Sequence, residues 1–262
     1  MFSGFPSQSP ITVSMNAIAN IKTITKRELA AYFSSPLAYV FIVIFLLLCG
    51  FFTFFVSPFF RINQASLVQT FFIWHPWFYL FLVPAVGMRL WAEERRVGTI
   101  ELLLTMPITA WQAIVGKFLA SWIFLLLALV LTFPVVITVN YLGSPDNGSI
   151  LCAYIGSWLM AGACLAISCV TSAMTRTQVV SFVVSAVLCL LLILAGFRPV
   201  IEFLEGWTKP WIVDAVTSFS LITHFEGFQK GILDSRDVIF FFSLILFSLF
   251  STSVILRGHR GG

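Results

Sequence analysis

Six long stretches of this 262-residue chain contain no charged residue, and no other feature constrains its folding as strongly. They are residues 29–60, 62–88, 118–145, 147–175, 177–197 and 238–256. Each reaches the roughly 18 residues that an α-helix needs to cross the hydrocarbon core of a bilayer. Charged residues make up only 10% of the chain, whereas soluble domains carry about a quarter. The pattern predicts an all-α membrane protein, since a helix satisfies its own backbone in lipid.

Trimming these stretches at proline, glycine and polar residues places six transmembrane helices. They lie near residues 37–57, 67–88, 118–140, 151–173, 178–196 and 238–256. If the N-terminus is inside, the inner segments hold ten Lys and Arg residues and the outer segments hold five. This excess predicts that both termini are cytoplasmic. We expect one transmembrane domain over residues 16–262, after a flexible tail over residues 1–15 that lacks the basic start of a secretory signal.

The segment before the first predicted span, residues 16–33, has helix formers and a partly segregated apolar face. Lys22, Lys26 and Arg27 can extend to lipid headgroups, and Pro36 separates the segment from the span. We interpret it as an interfacial helix along the inner leaflet. The alternative is a cytoplasmic extension of the first span.

The inner loop over residues 89–117 carries strong helix signals. A cluster of charged residues occupies positions 93–96. Gly98 follows it and is expected to break the helix. Thr99 is placed to cap a new short helix with Glu101 in its first turn. Thr109 and Gln112 form a T-x-x-Q capping box for the helix that leads into the third span. The loop is therefore predicted to be helix, short helix and helix. The leucines at 102–104 either form a docking surface for a cytoplasmic partner or dip into the membrane interface.

The outer segment over residues 198–237 is too polar to span the membrane and too apolar for a free loop. We expect it to form a re-entrant helical segment in the outer leaflet, covered by protein. Asp234 and Asp237 are placed to cap the last span.

Two motifs and the order of these elements resemble the ABC type-2 permease family, and within it the gliding-motility-like permeases. The motifs are EERRVGTIELLLTMPIT, followed by Lys117, and LITHFEGFQKGILDSRDVIFF near the end of the outer segment. The resemblance runs from Asn16 to Leu256. It implies a multi-pass permease of the bacterial cytoplasmic (inner) membrane. It also implies that the loop after the second span is a coupling helix seated in a groove of an ATPase.

The partners that the resemblance implies are two copies of a cytoplasmic ABC ATPase subunit and a second permease, either the same chain or a sister subunit. A periplasmic accessory subunit is a further expectation, and a nucleic-acid partner is not expected. Export of a substrate or a mechanical change across the membrane would be driven by ATP hydrolysis. The residues that would contact the ATPase are Glu93, Glu94, Arg95, Gly98, Thr99, Glu101 and, in the inner turn after the fourth span, Arg176.

The sequence itself contains no G-x-x-x-x-G-K-[ST] phosphate-binding loop, since Gly116 and Lys117 lack the upstream glycine and the following Ser or Thr. We therefore predict that the chain is not an enzyme, and that ATP is bound by a partner. No catalytic, cofactor-binding or metal-binding residue is predicted. His224 and Glu226 have no second ligand at metal-binding spacing.

His75 lies within the second predicted span beside Pro76. A histidine inside the membrane can contact a substrate or proton path, or it can be a satisfied neutral residue at a kink. An ion-coupled secondary transporter or channel is the alternative function. It would require charged residues within the spans or broken helices in symmetric positions. The trimmed helices contain no charged residue, and the sequence predicts no such pair of broken helices.

Overall fold

The computed structural model describes residues 10–57, 66–68, 70–98 and 109–258, with side chains from residue 17 onward. Every regular element in these ranges is helical. The α-helices there are α1 (Pro10–Ser34), α2 (Pro36–Phe51), α3 (His75–Gly87), α4 (Arg89–Val97), α5 (Ala110–Val130), α6 (Phe133–Leu142), α7 (Asn147–Met174), α8 (Gln178–Leu194), α9 (Arg198–Glu205), α10 (Pro210–Thr217), α11 (Leu221–Gln229) and α12 (Ser235–Gly258). A π-helical turn, Phe52–Val56, continues α2, and a 3₁₀ turn, Phe72–Trp74, precedes α3.

Four helical segments in the described ranges are long and apolar enough to cross a membrane. They are Pro36–Val56, Ala110–Leu142, Asn147–Met174 and Ser235–Gly258. A fifth results if α8 and α9, which are bent by 66° at their junction, form one span. The predictions of spans near 37–57, 118–140, 151–173 and 238–256 are confirmed as helices of sufficient length. The protein is thus a multi-pass helical membrane protein.

The predicted span at 67–88 has a different form in the structure. Its regular helix begins only at the 3₁₀ turn before α3, and α3 is 13 residues long, which is too short to span alone. The regular helix is interrupted at Met88 and resumes as α4. No signal near Met88 in the sequence indicates this break, because the group that stabilises it comes from a distant helix.

Helix α7 lies at the centre of the bundle, and 72% of its most apolar window is buried within the chain. Glycine, alanine and serine dominate its buried face and let neighbouring helices approach closely. A Cβ atom added to Gly162 would lie 2.6 Å from the indole nitrogen of Trp122 on α5. These small residues therefore serve close helix packing within the chain.

The N-terminal segment is one helix, α1, separated from α2 at Ser35. Ser35 has extended backbone angles, and its hydroxyl accepts a hydrogen bond from the amide of Leu37. Helix α1 packs along the first half of α5: Tyr32 and Ser121 share a hydrogen bond of 2.8 Å, and the Tyr32 ring stacks on Phe124. The helix begins at Pro10, earlier than the predicted Asn16. Its expected position at the membrane surface stays a prediction.

The outer segment folds into the short helices α9, α10 and α11, in agreement with its predicted helical character. Only α11 buries a continuous face, with Leu221, Phe225 and Phe228 turned inward. Asp234 accepts a hydrogen bond from the amide of Arg236 at the start of α12, so the predicted cap is present. Asp237 lies in the first turn of α12, and its carboxylate contacts His224 Nδ1 at 2.7 Å.

Candidate functional site

Helix α4 ends where the sequence predicts. Gly98 ends it in the left-handed conformation, with φ of +78°, and donates its amide to the Glu94 carbonyl. After the undescribed residues 99–108, α5 starts at the predicted capping box: Thr109 Oγ1 accepts from the Gln112 amide, and the Thr109 amide donates to Gln112 Oε1. Thr99, Glu101 and the predicted short helix lie outside the described residues.

The first turn of α4 is held by Ser172, two residues before the end of α7. Ser172 Oγ donates to the Met88 carbonyl and accepts from the amides of Trp91 and Ala92, each at 3.0 Å. The Ser172 hydroxyl thereby makes one hydrogen bond as donor and two as acceptor, all with backbone groups at or just after Met88. These bonds explain how the helix can be interrupted at Met88 while the neighbouring backbone groups remain hydrogen-bonded.

Two side chains of α4 also bind the end of α7. Trp91, which is buried, donates its indole N–H to Cys169 Sγ at 3.2 Å. Arg95 donates from its guanidinium to the carbonyl of Ala173, one of the last carbonyls of α7, where a positive charge is favourable. Burial lowers the pKa of Arg95 below its ordinary value, and the nearby charge of Arg176 adds to this effect. Arg95 is therefore near enough to the exposed Arg176 to feel its charge, and the contact of either residue with an ATPase stays a prediction.

Lys117 is the only charged residue of α5, and its side chain is just 6% exposed. Its ammonium lies 2.7 Å from Glu94 Oε1 on α4 and 3.4 Å from Glu28 Oε1 on α1. It also lies 5.7 Å from the centre of the Trp91 ring, within the range of a cation–π contact. We call Glu28, Glu94 and Lys117 the ion cluster. It joins three helices at one point.

The pKa of Glu28 reflects its position beside Lys117. Burial would raise its pKa, but the charge of Lys117, with smaller contributions from Arg27, outweighs burial, and the pKa is lowered from its ordinary 4.5. Arg27 contacts the same carboxylate at 2.9 Å from an exposed position. Glu28 is thus held in its charged form, in which it complements the buried ammonium.

Glu28 and Lys117 are not among the site residues predicted from the sequence. A usable signal was present, because a single lysine within an otherwise apolar helix requires a nearby carboxylate if its charge is to be buried. Which carboxylate approaches it depends on the packing of α1 and α4 against α5. Glu93, by contrast, forms a more exposed pair with Arg89, at 3.6 Å.

His75 lies apart from these residues, in the core between α2, α3 and α7. It is fully buried, with Nδ1 3.4 Å from Ser157 Oγ and Nε2 4.0 Å from Cys49 Sγ. The ring stacks on Tyr79, with centroids 5.6 Å apart. A polar and aromatic shell therefore surrounds it, and its role on a substrate path stays a prediction.

At the other end of α7, His224 bridges helix α11 to Asp237 and to the carbonyl of Ser218, 3.0 Å from Nε2. The described residues contain no group of three His, Cys, Asp or Glu side chains that could hold a metal ion. His224 is a structural connection between the outer helices and α12 in this arrangement.

Comparison with known proteins identifies the family. A sequence model of the family described as ABC-2 family transporter protein matches residues 23–210. This range includes the ion cluster, all of α4 and the end of α7. A search of curated protein sequences found no match. Because the family match covers well over half of the chain, and because the structure is that of a multi-pass helical membrane protein, the chain belongs to the ABC-2 family of transporter permeases.

Proposed function

We propose that this chain is a permease subunit that couples ATP hydrolysis by a separate cytoplasmic ABC ATPase to export, or to a mechanical change, across a bacterial inner membrane. Two ATPase copies and a second permease, identical or related, would complete the transporter. The chain would have six spans, with α3 and its flanking turns as the second and α8 as the fifth. Both termini and the α4 end of the bundle would face the cytoplasm.

The observation that carries this proposal is the attachment of α4. Ser172 and the Ala173 carbonyl bind α4 to α7, and the Glu94–Lys117 pair binds it to α5. A force applied to the segment after Gly98 would therefore reach two long helices through short, directional contacts. Lys117 extends the same connection to α1 through Glu28. A coupling element requires such a rigid attachment, because a loosely held loop would absorb the displacement.

The coupling residues divide into two groups in this proposal. Arg95, Gly98 and Arg176 lie at the tip of the α4 end, and with Thr99 and Glu101 they would form the surface that meets the ATPase. Glu94 is a positioning residue, since its carboxylate faces Lys117 inside the bundle. Glu93 lies on the flank of α4.

Cysteine cross-linking to the ATPase tests the location of this surface. Val97→Cys and Arg176→Cys place thiols at exposed positions of the α4 end, and Ile232→Cys places one at an exposed position near α11. Of the five native cysteines, four are buried and Cys152 is half-buried, and the unmodified chain gives the background. We expect cross-links from the first two variants alone. Cross-links only from Ile232→Cys would overturn the proposal.

Measurements of coupling test the mechanism. Gly98→Pro cannot adopt the left-handed conformation that ends α4, because the proline ring fixes φ near −65°. In the purified complex, we expect this variant to retain ATP hydrolysis and lose transport, whereas the matched change Gly206→Pro, in an outer loop, should spare coupling. Normal transport by Gly98→Pro would argue against a coupling role for this segment.

The proposal keeps His75 as a contact on the substrate path. Its ring is enclosed by aromatic side chains in this conformation, so a substrate would reach it only after α3 moves relative to α7. Transport at the normal rate by a correctly folded His75→Gln variant would remove it from the path.

A further inference from the structure

A cavity of about 630 Å³ opens between the α1–α2 pair and the α3–α4 pair. We call it the inner groove. Its volume lies within the range of roughly 300–1,000 Å³ that is typical of sites for small molecules. Neither the proposed coupling contacts nor the family match explains why this space is present beside the ion cluster.

The walls of the inner groove are apolar and are contributed by two different helices. Leu37, Val40 and Ile44 line it from α2, while Leu82 and Val86 line it from α3. Helix α2 is poorly covered by the rest of the chain, with only 17% of its most apolar window buried. The groove is therefore open along the side of a spanning helix, where lipid chains are the surrounding solvent.

One end of the inner groove is charged. Glu28, Glu94 and Lys117 lie at this end, but they are mostly buried and face one another. Arg89 and Glu93 lie there as well, with 35% and 42% of their side chains exposed and 3.6 Å between the nearest charged atoms. This pair offers an incoming headgroup a cation and an anion side by side. The three carboxylates at this end are balanced by Lys117, Arg89 and Arg27, which contacts Glu28 from outside the groove.

We propose that the inner groove binds one phosphatidylethanolamine molecule, with an acyl chain between α2 and α3 and the headgroup at Arg89 and Glu93. Arg89 can donate hydrogen bonds to the phosphate. The primary ammonium can donate hydrogen bonds to the Glu93 carboxylate. Phosphatidylcholine fits less well because its quaternary ammonium has no N–H, and phosphatidylglycerol fits less well because it has no ammonium to pair with the Glu93 carboxylate. This site does not depend on the proposed coupling to an ATPase.

Two residues of α2 provide a matched pair for testing the acyl-chain position. Val40 and Val43 are each 53% exposed, but only Val40 lines the inner groove. Native mass spectrometry of the purified full chain, with phosphatidylethanolamine added back, measures the bound lipid. We expect Val40→Trp to abolish the one-to-one lipid adduct because the indole fills the groove. Val43→Trp should leave the adduct intact.

The headgroup is tested by lipid competition. The unmodified chain should bind phosphatidylethanolamine about tenfold more tightly than phosphatidylcholine or phosphatidylglycerol, as expected for one hydrogen bond to a charged group. Glu93→Gln should reduce this preference, and Arg89→Gln should weaken the binding of all three lipids because each carries the phosphate. Arg257→Gln, which changes an exposed arginine at the end of α12, should preserve both the affinity and the preference.

Three results would overturn the site. The first is equal binding of all three lipids, and the second is an unchanged adduct in Val40→Trp. The third is an efficient disulfide between two copies of Val40→Cys in the membrane, which would show that a second copy of the chain covers the groove. Since lipid binding is measured without an ATPase, each of these outcomes is separable from failure of the coupling proposal.

Discussion

Helices α4 and α11 both dock on α7, at opposite ends, and they do so through different kinds of contact. At the α4 end the contacts are polar: Ser172 binds three backbone groups, and Arg95 binds the Ala173 carbonyl. At the α11 end the contact is apolar, where Phe228 lies against Gly156. The polar contacts of His224 at this end go to Asp237 on α12 and to the Ser218 carbonyl, and neither goes to α7.

The difference shows what each docking can transmit. Hydrogen bonds and ion pairs depend on angle as well as distance, so the polar end fixes the orientation of α4 relative to α7. Apolar packing is non-directional and resists mainly a change of distance. Polar contacts therefore suit α4 if it has to transmit a rotation or a tilt to α7. Apolar packing is sufficient for α11, which covers the other end of α7.

Removal of the lysine should have the largest effect. Lys117→Met leaves the Glu28 and Glu94 carboxylates together without the ammonium between them, and breaking a buried ion pair in this way typically costs about 3–5 kcal/mol. We expect a loss of this size in the free energy of unfolding, measured by denaturant titration in detergent. Lys26→Met, at an exposed position of α1, is the control. A loss below that of the control would show that the ion cluster does not stabilise the α4 end.

Removal of the Ser172 hydroxyl should have the second-largest effect on the free energy of unfolding. Ser172→Ala removes three hydrogen bonds from buried backbone groups, for which we expect a loss of about 2–3 kcal/mol. Ser181 offers a matched control on α8, because its buried hydroxyl has no hydrogen-bond partner within the described part of the chain. Ser181→Ala should be neutral or slightly stabilising. Equal effects of the two changes would contradict the role assigned to Ser172 at the break.

A methyl group added at Gly156, where α11 packs on α7, should lower the free energy of unfolding by a smaller amount. In Gly156→Ala the new Cβ atom would lie 2.5 Å from Phe228 Cβ, so α11 has to move outward, at an overpacking cost of about 1–2 kcal/mol. Gly50→Ala on α2 is the control, because a Cβ atom there meets nothing within 4 Å. Disulfide mapping should show displacement of α11 in the first variant and an unchanged α4. Displacement of α4 instead would erase the distinction between the two ends.

Lowering the pH should reduce the stability that the ion cluster contributes only slightly. The pKa of Glu28 is lowered below 4.5 in the folded chain, so its stabilising contribution is complete above that value and is lost as the pH falls through the lowered pKa. Glu28 is partly exposed, and screening limits the effect to less than about 1 kcal/mol. Thermal unfolding of the unmodified chain between pH 6 and pH 3 should show a steeper decline than that of Glu28→Gln. Parallel curves would mean that Glu28 does not contribute.

Local signals in the sequence predicted much of the site's framework. Gly98 ends α4 because glycine tolerates the left-handed conformation, and Thr109 with Gln112 starts α5 because both partners of the capping box lie within one turn. Asp234 caps α12 for the same local reason. These features depend on residues close in sequence, which is why they could be predicted before the structure.

The break at Met88 and the ion cluster could not be predicted in this way. Ser172 lies far along the chain from Met88, and Glu28 is equally remote from Lys117, so the chemistry of each pair exists only after α1, α4 and α7 pack around α5. The predicted helix near 67–88 starts later than expected, at the 3₁₀ turn before α3, whereas its predicted end at residue 88 agrees with the end of α3 at Gly87.

The sequence by itself determined that this chain is a helical membrane protein, and it determined where most of its helices begin and end. Those properties follow from long apolar stretches in which the backbone has to satisfy itself and from caps formed by neighbouring residues. Only the tertiary structure decided which charges meet and which end of α7 holds α4 firmly. The reason is that burial of Lys117 becomes favourable only when carboxylates from two other helices approach it together.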